Sequence, residues 1–140
     1  MNKVSFMVIS IIMLLTACQT ANSDAITLEE VLASFEKQQL SLKESKASDQ
    51  SILGKKLNSV KPSSYELTGK KLFIYIYDST KEREKALEEF LTKTAAANLV
   101  SYHYYEVKNV SIFYVHELDR RLKVEADDEI QGVLRDLNKK

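Results

Sequence analysis

Leu72-Phe73-Ile74-Tyr75-Ile76-Tyr77 is the stretch on which the fold turns. Six consecutive β-branched, aromatic or leucine residues leave no polar face, which argues for a central position in the sheet. Side chains alternate along a strand, so Leu72, Ile74 and Ile76 point one way and Phe73, Tyr75 and Tyr77 the other. Upstream, Tyr65-Glu66-Leu67, the Thr68-Gly69 turn and Lys71 to Tyr77 read as a β-hairpin, with Gly69 supplying a positive φ. Downstream, Asp78-Ser79-Thr80 stops the strand and starts a helix, with Ser79 and Glu82 spaced as a capping box. That helix is expected to run to about Ala97. Its apolar stripe is Ala86, Leu87, Phe90, Leu91, Thr94 and Ala95, and Asn98 suits the position just past its end.

Farther out, Ser101 to Val107 and Val110 to His116 form a second hairpin about Lys108-Asn109. Asp127 to Leu137 forms a closing helix, with Asp127, Asp128 and Glu129 against its dipole and Ile130, Val133, Leu134 and Leu137 along one stripe. Toward the start, Leu28, Val31, Leu32 and Phe35 recur at helical spacing behind a Thr27/Glu30 capping box, which predicts a helix from Leu28 to Gln39. Leu40 to Glu44 alternates as a short half-buried strand. Ser45 to Ser64 carries no period: Ile52, Leu53, Leu57 and Val60 fit a helical turn or anchors under a loop. The order α-β-(loop)-β-β-α-β-β-α predicts an α+β fold, a two-layer sandwich of helices on a mixed, largely antiparallel sheet. A crossover from Lys71–Tyr77 to Ser101–Val107 would be right-handed if those strands are parallel.

The first residues obey different rules. Lys3 and the free amine precede an apolar run from Val4 to Leu15, twelve residues against the roughly twenty that a spanning helix needs, which is the pattern of a secretory leader. The run ends in Leu15-Thr16-Ala17-Cys18. This segment resembles the lipobox of bacterial lipoprotein precursors, and the resemblance covers Met1 to about Gln19. It implies that the Cys18 thiol receives a diacylglyceryl group, that the leader is cut before Cys18, and that the new amino terminus is acylated too. Two chains would anchor the protein stably to the extracytoplasmic face of the cell membrane. The competing reading is an ordinary secreted protein cut after Ala17. Cys18 is the only cysteine, so no disulfide is expected and stability must come from the core. The expected organisation is a signal peptide over 1–17, a lipidated tether over 18–25 and one domain over 26–140. Abundant Lys, Asn, Ile and Tyr, with one Pro and no Trp, associate the chain with an AT-rich bacterial source and, beside the lipobox, a Gram-positive surface.

Twenty basic and twenty acidic side chains cancel and are interspersed, which offers no footprint for nucleic acid or for an anionic membrane surface. Two histidines come nearest to a chemical constellation. With a two-residue loop at Lys108-Asn109, His103 faces Tyr114 and Ser101 faces His116, so the imidazoles lie diagonally on one face, ~7–8 Å apart at Cα. Two ligands do not make a zinc site, and ordinary sheet packing accounts for them better. Glu29-Glu30, Glu88-Glu89 and Asp127-Asp128-Glu129 read as helix starts or solvated faces. No phosphate loop, nucleophile elbow, zinc helix motif or Cys-His pair occurs, so neither catalytic residues nor a cofactor is expected.

Tyrosine is the remaining signal. Phe73, Tyr75 and Tyr77 share one strand face, Tyr102 and Tyr104 share another, and on a solvated sheet such rings make a contact surface for a protein or a cell-wall glycan. Alternatively, the first helix or the Ser45–Ser64 loop covers that face and the rings are core. The expectation is therefore a membrane-anchored lipoprotein with a non-catalytic binding domain, or an accessory or inhibitory subunit of a membrane complex or surface hydrolase.

Overall fold

The computed structural model describes residues 24–46, 52–116 and 126–140. The leader, Cys18 and the tether up to residue 23 lie outside the described residues. The order is α1 (Leu28–Lys37), β1 (Lys43–Glu44), a 3-10 turn (Ile52–Gly54), β2 (Ser63–Leu67), β3 (Lys70–Ile76), α2 (Thr80–Thr94), β4 (Tyr102–Val107), β5 (Val110–Val115) and α3 (Asp127–Asn138). This is an α+β fold with the element order read from the sequence. None of these helices is long and apolar enough to cross a membrane.

The sheet order is β1-β2-β3-β5-β4, and every neighbouring pair is antiparallel. β3 and β4 therefore run in the same direction but do not touch, because β5 lies between them. Both hairpin registers follow from their turns. Leu67 pairs with Lys70 across Thr68 and Gly69, both at positive φ, the backbone that matches strand twist. Val107 pairs with Val110, His103 with Tyr114, and the His116 amide donates to the Ser101 carbonyl at 3.0 Å. β1 keeps only two residues, since Leu40 and Leu42 turn into the core as anchors before it begins.

The helix starts are built as their sequences imply. Thr27 and Glu30 complete a capping box at α1. At α2 only half of the box forms: Ser79 Oγ accepts from the Glu82 amide at 3.2 Å, while the Glu82 carboxylate turns to Asn58 and Lys85. α2 also ends three residues earlier than Ala97.

Layering is where the structure departs from the expected sandwich, because helices cover both sheet faces. α1 and α3 cover one face, where Val31, Phe35, Ile130, Val133 and Leu137 pack with Leu72, Ile74, Ile112 and Tyr114. The two helices meet through Ser34, whose hydroxyl donates to Asp136 at 3.0 Å, and at Gly132, where a Cβ would press on the Gln38 side chain. α2 covers the other face with Ala86 and Phe90, joined by Leu53 and Leu57 from the aperiodic loop, against Phe73, Tyr75, Tyr77 and Phe113. The loop is pinned by a tight turn in which Asn58 and Ser59 take positive φ and Leu57 pairs with Val60. Asn58 Nδ2 donates to the Glu82 carboxylate at 2.7 Å, and its amide to Glu89 at 2.7 Å, which fastens the loop to α2.

Candidate functional site

The aromatic face nominated as an interaction surface is interior. Phe73, Tyr75 and Tyr77 are at most 2 % exposed, so they cannot meet a partner. The cover comes from the loop, as in the alternative reading, and from α2 in place of the first helix. The Tyr75 hydroxyl donates to the carbonyls of Leu53 (2.8 Å) and Lys55 (2.7 Å), which answers its polar group with loop backbone. Its ring stacks on Tyr77 with centroids 6.1 Å apart and meets Phe113 edge-on at 5.8 Å. The Tyr77 hydroxyl is buried with no hydrogen-bond partner among the described residues. Burial pushes both phenols well above their ordinary range, as expected where a phenolate would lose its hydration.

Tyr102 and Tyr104, from β4 on the same face, are half-buried. Tyr102 packs edge-on to Phe90 at 5.6 Å. Tyr104 belongs to a polar knot that sequence reasoning missed. Arg83, 6 % exposed, donates from Nε to the Lys108 carbonyl at 2.7 Å and from Nη1 to the Tyr104 hydroxyl at 3.4 Å and the Glu106 carboxylate. Tyr104 in turn donates to Glu106 at 2.9 Å and shares a hydrogen bond with Ser111 at 3.1 Å. Arg83 lies three, four and seven residues before Ala86, Leu87 and Phe90, on the apolar stripe itself. That placement was the available signal: a cation on a buried stripe needs a carboxylate and carbonyls to meet it. The stripe runs one turn earlier than expected, and Leu91 stays 55 % exposed.

The two histidines do come together. Their rings lie 4.6 Å apart in an edge-to-face arrangement, His103 half-exposed and His116 buried. Beside them, Tyr105 donates to Asp127 at 2.7 Å, and its hydroxyl lies 3.4 Å from His103 Nδ1. Burial raises the Tyr105 phenol, and the hydrogen bond to Asp127 and its charge add to this. The phenol is thereby kept protonated as a donor that ties β4 to the first residue of α3. Among the described residues, no group of three or more His, Cys, Asp or Glu is placed to hold a metal ion. The acidic pairs are helix starts and struts: Glu30 closes the α1 cap, and Glu89 holds Asn58 and Lys93.

Among the described residues, β4 forms one edge of the sheet. Paired residues alternate in whether they exchange hydrogen bonds, and Ser101 does so with His116, so His103, Tyr105 and Val107 face β5. The backbone amides and carbonyls of Tyr104 and Glu106 then point away from the sheet, with no strand beyond them among the described residues. No family model, curated protein or solved structure matches the chain.

Proposed function

We propose that the chain is an extracytoplasmic lipoprotein, held to the cell membrane by acyl chains on Cys18, whose folded domain is a non-catalytic binding module. The observation that carries this reading is Leu15-Thr16-Ala17-Cys18 at the end of a twelve-residue apolar run too short to span. The domain is consistent with it: the buried Tyr75, Tyr105 and Arg83 are satisfied by backbone and side chains of the fold, which marks them as framework.

A second reading draws on the β4 edge. A six-residue strand that presents outward backbone groups can accept a partner's strand, so the domain would serve as an accessory or inhibitory subunit of a membrane complex or a surface hydrolase. Its partner would be an extended segment of protein; the first reading also admits a cell-wall glycan.

The deciding experiment is Cys18→Ser in the full chain, expressed in a bacterium with lipoprotein processing. The expected result is loss of both acylation and cleavage before residue 18, read by mass spectrometry and membrane fractionation. A processed, membrane-bound product of wild-type mass would refute the assignment.

A further inference from the structure

Ile26 is where the chain enters the fold, and it is locked to one end of the sheet. The Asn109 side chain, 2 % exposed, accepts from the Ile26 amide at 2.7 Å and donates to the Ile26 carbonyl at 3.0 Å and the Tyr77 carbonyl at 2.7 Å. Asn109 lies in the β4–β5 turn and Tyr77 follows β3, so the entry is fastened to two strands at once. Asp24 and Ala25, just before it, line a hollow of about 280 Å3 with Ser79, Thr80 and Lys108. The same end holds the starts of α1 and α2 and the C-terminus, where Lys140 Nζ lies 3.1 Å from Glu30. The opposite end carries the Thr68-Gly69 turn, which lines another hollow with Gln39, Leu40 and Ser41.

Six residue steps separate Cys18 from Asp24 (24 − 18 = 6), and six steps cannot reach beyond ~22 Å however the chain runs. The seven residues of β3 already make the sheet about 20 Å long, before its turns are added. A bilayer attached at Cys18 could therefore reach the Thr68 end only if the tether ran the whole flank of the domain at full stretch. The entry end needs none of that length.

We propose that the end of the domain formed by the β4–β5 turn, the start of α2 and the C-terminus of α3 is the face laid against the lipid headgroups, with the Thr68-Gly69 turn pointing outward. This rests on the acylation of Cys18 proposed above. Lys81, Lys139 and Lys140 are exposed at this end and Lys108 is half-exposed, where they can meet headgroup phosphates; Asp24 and Asp78 lie among them. The charges are mixed, so the tether and not a basic patch sets the orientation. The β4 edge then stands side-on to the membrane and stays open to a partner strand arriving along the surface.

The test uses the full acylated chain, reconstituted in vesicles whose headgroups carry an energy-transfer acceptor. Because acylation consumes the Cys18 thiol, a new cysteine can be labelled with a donor dye: Lys81→Cys at the entry end or Ser41→Cys at the other, both exposed positions, with Asp78→Cys and Lys43→Cys as a second pair. Transfer should be several-fold stronger from the entry-end label in both pairs. Equal transfer, or stronger transfer from Ser41→Cys and Lys43→Cys, in protein whose mass shows the acyl chains would overturn the orientation and leave the anchor intact. A mass without acyl chains, with no label on the vesicles, would instead remove the anchor on which the orientation depends.

Discussion

Replacing Tyr75 tests whether the sheet is covered on both faces. In Tyr75→Phe the ring remains and only the hydroxyl is lost, together with its hydrogen bonds to the Leu53 and Lys55 carbonyls. At ~0.5–1.5 kcal/mol for each of the two hydrogen bonds, the cost should be about 1–3 kcal/mol. Tyr75→Ala also empties the space of a wholly buried ring between Tyr77 and Phe113, for which aromatic-to-alanine changes cost ~3–5 kcal/mol. On the opposite face, Ile74→Ala should cost ~2–5 kcal/mol by the same mechanism. The two faces should thus respond alike, with Tyr75→Ala at least as damaging as Ile74→Ala. A domain of this size holds only ~5–15 kcal/mol in total, so the phenylalanine variant is measured first and the alanine variants are read against it. The assay is urea unfolding of residues 26–140 at neutral pH, comparing midpoints at a common slope so that a change in the unfolded state is not mistaken for lost packing. If Tyr75→Phe were neutral and Tyr75→Ala cost under ~1 kcal/mol, far below the range for a buried ring, the aromatic face would be open and the covered-sheet account wrong.

Arg83→Ala should destabilise the domain by ~1–3 kcal/mol, less than the loss of a partner from a fully buried pair because Glu106 is 46 % exposed, and Glu106→Gln should cost less than Arg83→Ala; the reverse order in urea unfolding would contradict the knot drawn around Arg83. Asn109→Ala should remove three hydrogen bonds at the chain entry, cost ~2–4 kcal/mol, and speed hydrogen exchange at the Ile26 amide well beyond that of mid-strand amides; unchanged exchange at Ile26 would show that the clamp is not what holds it. Burial raises the phenols of Tyr75, Tyr77 and Tyr105 in the folded chain, whereas the unfolded chain ionises near the ordinary value of 10.0. Above that pH the unfolded state binds fewer protons than the native one, so stability is fully present below pH 10 and falls as pH rises beyond it. Phenolate absorbance from these residues should therefore appear together with loss of the folded circular dichroism, and titration of all seven tyrosines with the fold intact would contradict their burial.

Most of the architecture is a local matter, and local matters are legible in a sequence. The Thr27/Glu30 cap, the hairpin at Thr68-Gly69 and the pairing of Val107 with Val110 each depend on residues at most a few positions apart, whose φ preferences and hydrogen-bonding groups act before any distant contact forms. The alternation along Leu72–Tyr77 likewise separated an aliphatic face from an aromatic one, and both sets are found on the faces assigned to them. The leader and lipobox proposed for residues 1–18 would be local in the same sense, since a processing enzyme would read them in an extended chain.

What alternation leaves undecided is what covers each face. Tyrosine serves equally on a wet surface or in a core that supplies an acceptor, and Tyr75 finds its acceptors in the backbone of a loop whose sequence has no period to announce them. Arg83 is similarly ambiguous: a cation on a helix stripe becomes buried only because Glu106, Tyr104 and the Lys108 carbonyl arrive from a hairpin more than twenty residues away. The insertion of β5 between β3 and β4, the division of the helices between two faces and the locking of Ile26 under Asn109 all join residues far apart in the chain. Propensity acts within a few residues; contacts of that range are chosen by the burial and hydrogen bonding of the whole domain, which only its tertiary structure expresses.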